Sequence, residues 1–147
     1  LLPAQQLQLV KSAQDEFKRF AAAPVVSNAE LFGGKICAAL DRQHPRDLFD
    51  IQQLFNNEGL TDNIRHGFIA SLLSHTRPMH ELLRPHRQDM RAVFNAQFIG
   101  MTMQPYCYDE FEATRERLIL DVKSFLTDVR SLRERRCARL SIEHCSV

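Results

Sequence analysis

A chain of 147 residues with 44% apolar content has room for one hydrophobic core, and 19 basic against 18 acidic residues exclude both global disorder and a uniformly basic nucleic-acid binder. Any site for a polyanion is therefore local. Five glycines and no tryptophan speak against a turn-rich sandwich, and ten phenylalanines supply core material. No apolar run approaches the roughly 20 residues of a membrane span, and the opening LLPAQQLQLVKSAQDEF carries charge where a secretory signal needs its apolar centre. A soluble, cytoplasmic protein with no membrane contact is expected. Cys37, Cys107, Cys137 and Cys145 form no C-x-x-C pair, so four free thiols are expected. The histidines, including His144 beside Cys145, lack zinc-ligand spacing, and no metal site is assigned.

In chain order, Leu7, Val10, Ala13, Phe17 and Phe20 recur every three or four residues and predict an amphipathic helix from Ala4 to Ala23, stopped by Pro24. Val25-Val26 reads as a very short extended segment. Ser27-Asn28-Ala29-Glu30 has the Ser-x-x-Glu form of a capping box and predicts a helix to about Asp41, with Phe32, Ile36 and Leu40 on its apolar stripe. Gly33-Gly34 inside that helix costs roughly 1 kcal/mol per glycine relative to alanine, which demands a reason. His44-Pro45 starts another helix, with Leu48, Ile51, Leu54 and Phe55 inward and Asn56 to Gly59 as its end. Thr61 caps a helix holding Ile64, Phe68, Ile69, Leu72 and Leu73. Pro78 and Pro85 bracket a turn of helix from Met79 to Leu83, and Met90, Val93, Phe94, Gln97 and Phe98 mark a further amphipathic segment. Gly100 to Tyr108 reads as a loop. Asp109 opens a long helix through Leu126, carrying Phe111, Leu118, Val122 and Phe125, and Thr127 is expected to cap a last, basic piece. No strand longer than three residues is expected. The fold class is all-α, a bundle of about six to seven helices in a single domain over 1–147, with 128–147 a divergent or flexible tail.

The segment from Glu30 to Asp50 concentrates the chemistry. At helical spacing, Lys35, Ala38, Ala39 and Arg42 share a face, which makes a cationic stripe with small residues between the charges. Arg46, Asp47 and Asp50 lie on the opening turns of the next helix, where the dipole favours carboxylates. Cations and carboxylates thus converge at one helix-helix corner. The plainest account is an exposed Arg46-Asp50 pair at i, i+4, worth only about 0.3–0.5 kcal/mol, with Asp41 and Arg42 solvating the corner.

The spacing Glu30-x4-Lys35-x2-Ala38-Ala39-x2-Arg42-x3-Arg46-Asp47-x2-Asp50 also resembles the third and fourth motifs of the AbiEii-type nucleotidyltransferases, the abortive-infection toxins of type IV toxin-antitoxin systems. Phe98-Ile99-Gly100-Met101 and the helical layout are compatible with the helical C-terminal part of that family, so the resemblance extends from Leu7 to Leu126. It implies that Lys35 contacts nucleotide phosphates, that Asp47 with Asp50 is the acidic catalytic pair, and that Arg42 and Arg46 orient phosphates or these carboxylates. It also implies transfer of a nucleotide from an NTP, with Mg2+, to an RNA or protein acceptor, and an antitoxin as partner.

The sequence departs from the family pattern in two places. The metal-holding half of that family, a Gly-Ser turn leading to an Asp-x-Asp pair, has no counterpart here, and Glu110-Phe111-Glu112 does not replace it because helix residues two apart point to nearly opposite sides. The chain therefore reads as the C-terminal helical portion of such an enzyme, inactive alone. The alternative is a non-catalytic helical interaction module that binds an antitoxin or another protein. An exposed apolar patch near Lys35 and Asp50, open to self-association, is expected from the missing half. The tail, with Arg130, Arg133, Arg135, Arg136 and Arg139, lacks the apolar ending expected of relatives. It reads first as a solvated charged face and second as a contact for RNA phosphates.

Overall fold

A computed structural model describes residues 4–103 and 105–143, with backbone alone for Gln5 and for 128–143. In chain order its elements are β1 (Gln5–Gln8), α1 (Lys11–Phe17), β2 (Ala22–Val25), α2 (Asn28–Arg42), α3 (Pro45–Asn57), α4 (Asp62–Ser74), α5 (Met79–Leu83), α6 (Arg91–Gln97) and α7 (Tyr108–Glu143). The architecture is the expected helical bundle, joined by one small antiparallel hairpin of β1 and β2.

That hairpin corrects the expected helix from Ala4 to Ala23. Only Lys11–Phe17 is helical, and it ends at Lys18 in the left-handed region, φ 50°. On either side, Gln5 pairs with Val25 and Gln8 with Ala22. The apolar stripe read as helical has nothing to bury against, since no described residue in 4–26 is buried. Without a packing partner a short helix has little to hold it, whereas Gln6-Leu7-Gln8-Leu9 also alternates at the strand period. Pro24 sits inside β2 rather than stopping a helix, and the two four-residue strands exceed the length expected of any strand.

From Ser27 onward the local signals match the structure. The Ser27 hydroxyl accepts the Glu30 amide at 3.2 Å, and that of Thr61 accepts the Ile64 amide at 3.4 Å, so α2 and α4 begin at their expected caps. Pro45 is the first residue of α3, and Gly59, at φ 68°, supplies the left-handed turn after that helix. One expectation at the other end fails. Thr127 caps nothing: its hydroxyl donates to the Lys123 carbonyl within α7, whose backbone runs on unbroken to Glu143. The side chains of Arg130, Arg133, Arg135, Arg136, Cys137 and Arg139 lie outside the described residues, as do His144 and Cys145.

The core lies between α2, α3, α4 and α7, with Ile36, Leu48, Ile51, Leu54, Ile64, Phe68, Phe111 and Leu118 fully buried. α2 packs on α4 at van der Waals closeness, and this accounts for one glycine of the pair at 33–34. A Cβ at Gly33 would sit 2.6 Å from the Phe68 amide nitrogen and overlap the Gly67 carbonyl group, while a Cβ at Gly67 would overlap the Ala29 carbonyl. Gly34 faces open space.

Cys37 belongs to this α2 core. Burial, with a smaller contribution from Asp41, pushes its thiol up to about 12, so thiolate is scarce at neutral pH. Cys107 is exposed. Iodoacetamide at pH 8 is therefore expected to alkylate Cys107 in the folded protein and to leave Cys37 untouched until denaturant is added, as read by peptide mass mapping. Equal labelling of the two in the folded protein would contradict the packing of α2.

Candidate functional site at the α2–α3 corner

Two residues separate α2 from α3, and their conformations set the site. Gln43 ends α2 in the left-handed region, φ 51°, its amide donating to the Ala39 carbonyl. His44 then caps α3, its Nδ1 accepting the Arg46 amide at 3.3 Å. That acceptor role places the ring proton on Nε2, 3.3 Å from the Gln97 side-chain oxygen. The turn brings the solvent side of α2 against the opening of α3.

Two charged rungs cross the corner. Lys35 Nζ donates to Asp50 Oδ2, and Arg42 Nη2 donates to Asp47 Oδ1 at 3.0 Å. Lys35, Asp47 and Asp50 therefore share one seam, with Arg42 at its turn end. The Arg46-Asp50 pair does not form: Asp50 belongs to Lys35, and exposed Arg46 makes no ion pair among the described residues. The cationic stripe is narrower than its spacing suggested. Ala39 is 1% exposed and belongs to the core, while Leu31, Lys35 and Ala38 line the outer face.

The energetics of the rungs are small. Lys35 and Asp50 keep 35% and 43% of their side-chain surface in water, and pairs this exposed contribute about 0–1 kcal/mol. Asp47 is different. Its Oδ1 serves Arg42, but its Oδ2 is buried and bonds to none of the described residues. A buried carboxylate oxygen without a donor is costly, and the corner holds one at Asp47.

The corner is anchored by a polar network that sequence reasoning missed. Gln43, 2% exposed, donates from Nε2 to the His86 carbonyl at 2.7 Å and accepts at Oε1 from the Gln88 amide and from Arg115 Nη1. Arg115, 5% exposed, also donates to the Gln88 carbonyl at 2.8 Å and pairs with Glu112. Beside it, Arg77 joins Asp41 at the end of α2 to Glu81 of α5. Partners 27 to 72 residues apart leave no local pattern to read. The one signal was a helix C-terminus occupied by glutamine where glycine is usual.

A groove of about 850 Å³ opens between α6 and the 99–107 loop, lined by Phe94, Phe98, Tyr106 and Tyr108. Phe49, next to Asp50, packs its ring 5.5 Å from Phe98 and 5.2 Å from Tyr106, and so ties α3 to this aromatic cluster. The expected apolar patch near Lys35 amounts to Leu31, one turn earlier on α2. Larger runs of exposed apolar side chains lie at 7–26 and 99–103.

No group of three His, Cys, Asp or Glu side chains among the described residues is placed to hold a metal ion. Asp47 and Asp50, each tied to a cation, do not make the multi-oxygen shell that Mg2+ requires. The Mg2+ implied by the family resemblance has no ligand set in these residues.

A family model described as the nucleotidyl transferase AbiEii toxin of type IV toxin-antitoxin systems matches residues 1–134. The chain belongs to this family. AbiEii membership implies an antitoxin as partner, and the match takes in the hairpin as well as the α2–α3 corner. No curated protein and no solved structure matches the chain significantly. Among the described residues no helix is long and apolar enough to cross a membrane.

Proposed function

We propose that this chain is the C-terminal helical portion of an AbiEii-type nucleotidyltransferase toxin, and that its α2–α3 corner supplies the phosphate-binding and acceptor-activating half of the active site. Lys35 takes the nucleotide's phosphates in place of Asp50, since an ammonium on a flexible stem exchanges one anion for another at little cost. Asp47 positions the acceptor hydroxyl and takes its proton while the acceptor oxygen attacks the α-phosphorus and pyrophosphate leaves. Arg42 and Arg46 orient the phosphates or hold the carboxylates. The acceptor is an RNA or a protein, and the reaction takes place in the cytoplasm. The observation that carries this reading is the buried Asp47 Oδ2, which bonds to none of the described residues, on a carboxylate held by Arg42 one rung from the Lys35–Asp50 pair.

The isolated chain is inactive in this reading, because it has neither the Gly-Ser turn nor the Asp-x-Asp pair. With radiolabelled NTPs, Mg2+ and bulk transfer RNA, residues 1–147 are expected to transfer nothing, whereas a polypeptide carrying those motifs ahead of Leu1 transfers nucleotide. In that longer protein, Lys35→Ala and Asp47→Ala are each expected to lower the rate by about 10²-fold or more. The folding stability of Lys35→Ala should change by no more than about 1 kcal/mol, as its half-exposed ion pair dictates. Full activity of Lys35→Ala would sink its assigned role. A longer polypeptide without transfer activity, combined with antitoxin co-eluting with residues 1–147, would favour the interaction module, to which the missing metal ligand set also points.

A further inference from the structure

A second cluster of charge lies at the opposite end of α3 from the corner. Phe55 near the end of α3, Arg65 of α4 and the Arg117-Asp121-Ser124 face of α7 line a pocket of about 240 Å³. The three α7 residues are spaced i, i+4 and i+7 and share one side of that helix, while Leu118 and Val122 beside them go to the core. Phenyl rings hold both guanidiniums in place. Arg117 Cζ lies 4.1 Å from the ring centre of Phe55, and Arg65 Cζ 5.3 Å from that of Phe125. Stacking occupies the face of a guanidinium and leaves the N–H groups at its rim able to donate.

The chain itself uses few of those donors. Arg117 makes no hydrogen bond among the described residues, because its closest approach to Asp121 is 3.7 Å. Arg65 gives one long bond of 3.4 Å to Asp62, whose side chain is 86% exposed, and its Nε is buried and bonds to none of the described residues. The exposed Ser124 hydroxyl bonds to none of them either. Two guanidiniums against the single carboxylate of Asp121 leave the lining with a net positive charge, which an anion in the pocket would balance.

We propose that this pocket between α3, α4 and α7 binds a phosphate group, at a site separate from the α2–α3 corner and independent of the reading given to that corner. A phosphate directs its oxygens tetrahedrally, so it accepts from arginines of two helices and from Ser124 together, whereas the two coplanar oxygens of a carboxylate match the fork of one arginine. At about 30 Å³ per water molecule, the pocket has room for such an oxyanion with part of its hydration. A free phosphate or phosphomonoester and the backbone of a polynucleotide present the same oxygens.

Arginine Nε–H resonances of residues 1–147, titrated with inorganic phosphate at constant ionic strength, read the site directly. Those of Arg65 and Arg117 are expected to shift saturably with one shared dissociation constant of about 1 mM, while that of exposed Arg84 does not saturate. Arg65→Lys and Arg117→Lys keep the charge and lose the fork, and each should weaken phosphate at least about tenfold, read at the remaining arginine, with the helical circular dichroism unchanged. Acetate should bind at least about tenfold more weakly than phosphate. An oligouridylate without terminal phosphates separates the sources: if it shifts the same two resonances and competes with inorganic phosphate, the site takes a backbone phosphate, and if it leaves them unmoved while inorganic phosphate saturates them, the site takes a free phosphate or a monoester. Failure of Arg65 and Arg117 to saturate with phosphate overturns the proposal. Acetate binding as tight as phosphate, or lysine variants that bind phosphate as well as the native chain, also overturn it.

Discussion

Gly67→Ala and Gly33→Ala are each expected to destabilise the protein by about 3 kcal/mol, near the upper end for overpacking a well-filled interior, because the obstacle is backbone that cannot swing aside. At both positions the new methyl group meets the facing helix: the Ala29 carbonyl for Gly67, the Gly67 carbonyl for Gly33. α2 and α4 would have to move apart and loosen the packing of Ile36, Ile64 and Phe68. Against a total stability of about 5–15 kcal/mol, that loss lowers the melting temperature by roughly 10 °C. Gly34→Ala is the internal control. It meets nothing within 4 Å, so it should recover helix propensity and stabilise by up to about 1 kcal/mol. Urea unfolding of the three variants reads both signs at once, and a Gly33→Ala variant as stable as Gly34→Ala would show that α2 and α4 are not in backbone contact.

The second large effect is expected at Gln43. Gln43→Ala strips partners from the His86 carbonyl, the Gln88 amide and one Arg115 nitrogen, and should cost about 3 kcal/mol, since buried groups left unpaired lose about 1–3 kcal/mol each and some will reach water. Gln43→Gly loses the same bonds but relieves the φ of 51°, a conformation that costs a residue with a Cβ about 1–2 kcal/mol. It should therefore be more stable than Gln43→Ala by about 1 kcal/mol. Arg115→Met removes the opposite side of the network, and its loss should add to that of Gln43→Ala by less than the sum, as partners of one network do. A complete double-mutant cycle by equilibrium unfolding measures this coupling. Strict additivity would mean that Gln43 and Arg115 act independently.

Legibility followed the range of the interactions. Ser27, Pro45, Thr61 and Pro78 marked helix starts correctly, because a cap or a proline acts on amides within three residues of itself. The i, i+3, i+4 stripes from Ile36 to Val122 predicted buried side chains where a neighbouring helix covers them, but Leu73, expected on the stripe of α4, is 70% exposed, and Gln97, expected on that of α6, is exposed too, because no element packs over those positions. The same rule misled at Leu7 to Phe20, where the stripe had no neighbour and the backbone paired as strands instead. At the corner, the residue types were legible and their pairing was not. Arg46 and Asp50 are four apart on one helix, yet Asp50 is bonded to Lys35, fifteen residues earlier. The orientation of α3 against α2 decides that choice.

Residue order alone settled the helical class, the starts of α2 to α5, the bundle's apolar stripes and the family motif from Glu30 to Asp50, all of which depend on contacts along one helix or one turn. The close approach of Gly33 to Gly67, the clamp of Gln43 and Arg115, the pairing of Lys35 with Asp50 and the hairpin of β1 and β2 were decided only by the packed chain. Each of these joins residues from separate elements, and a hydrogen bond or a steric overlap between them depends on helix placement to within about an ångström, which no periodicity encodes.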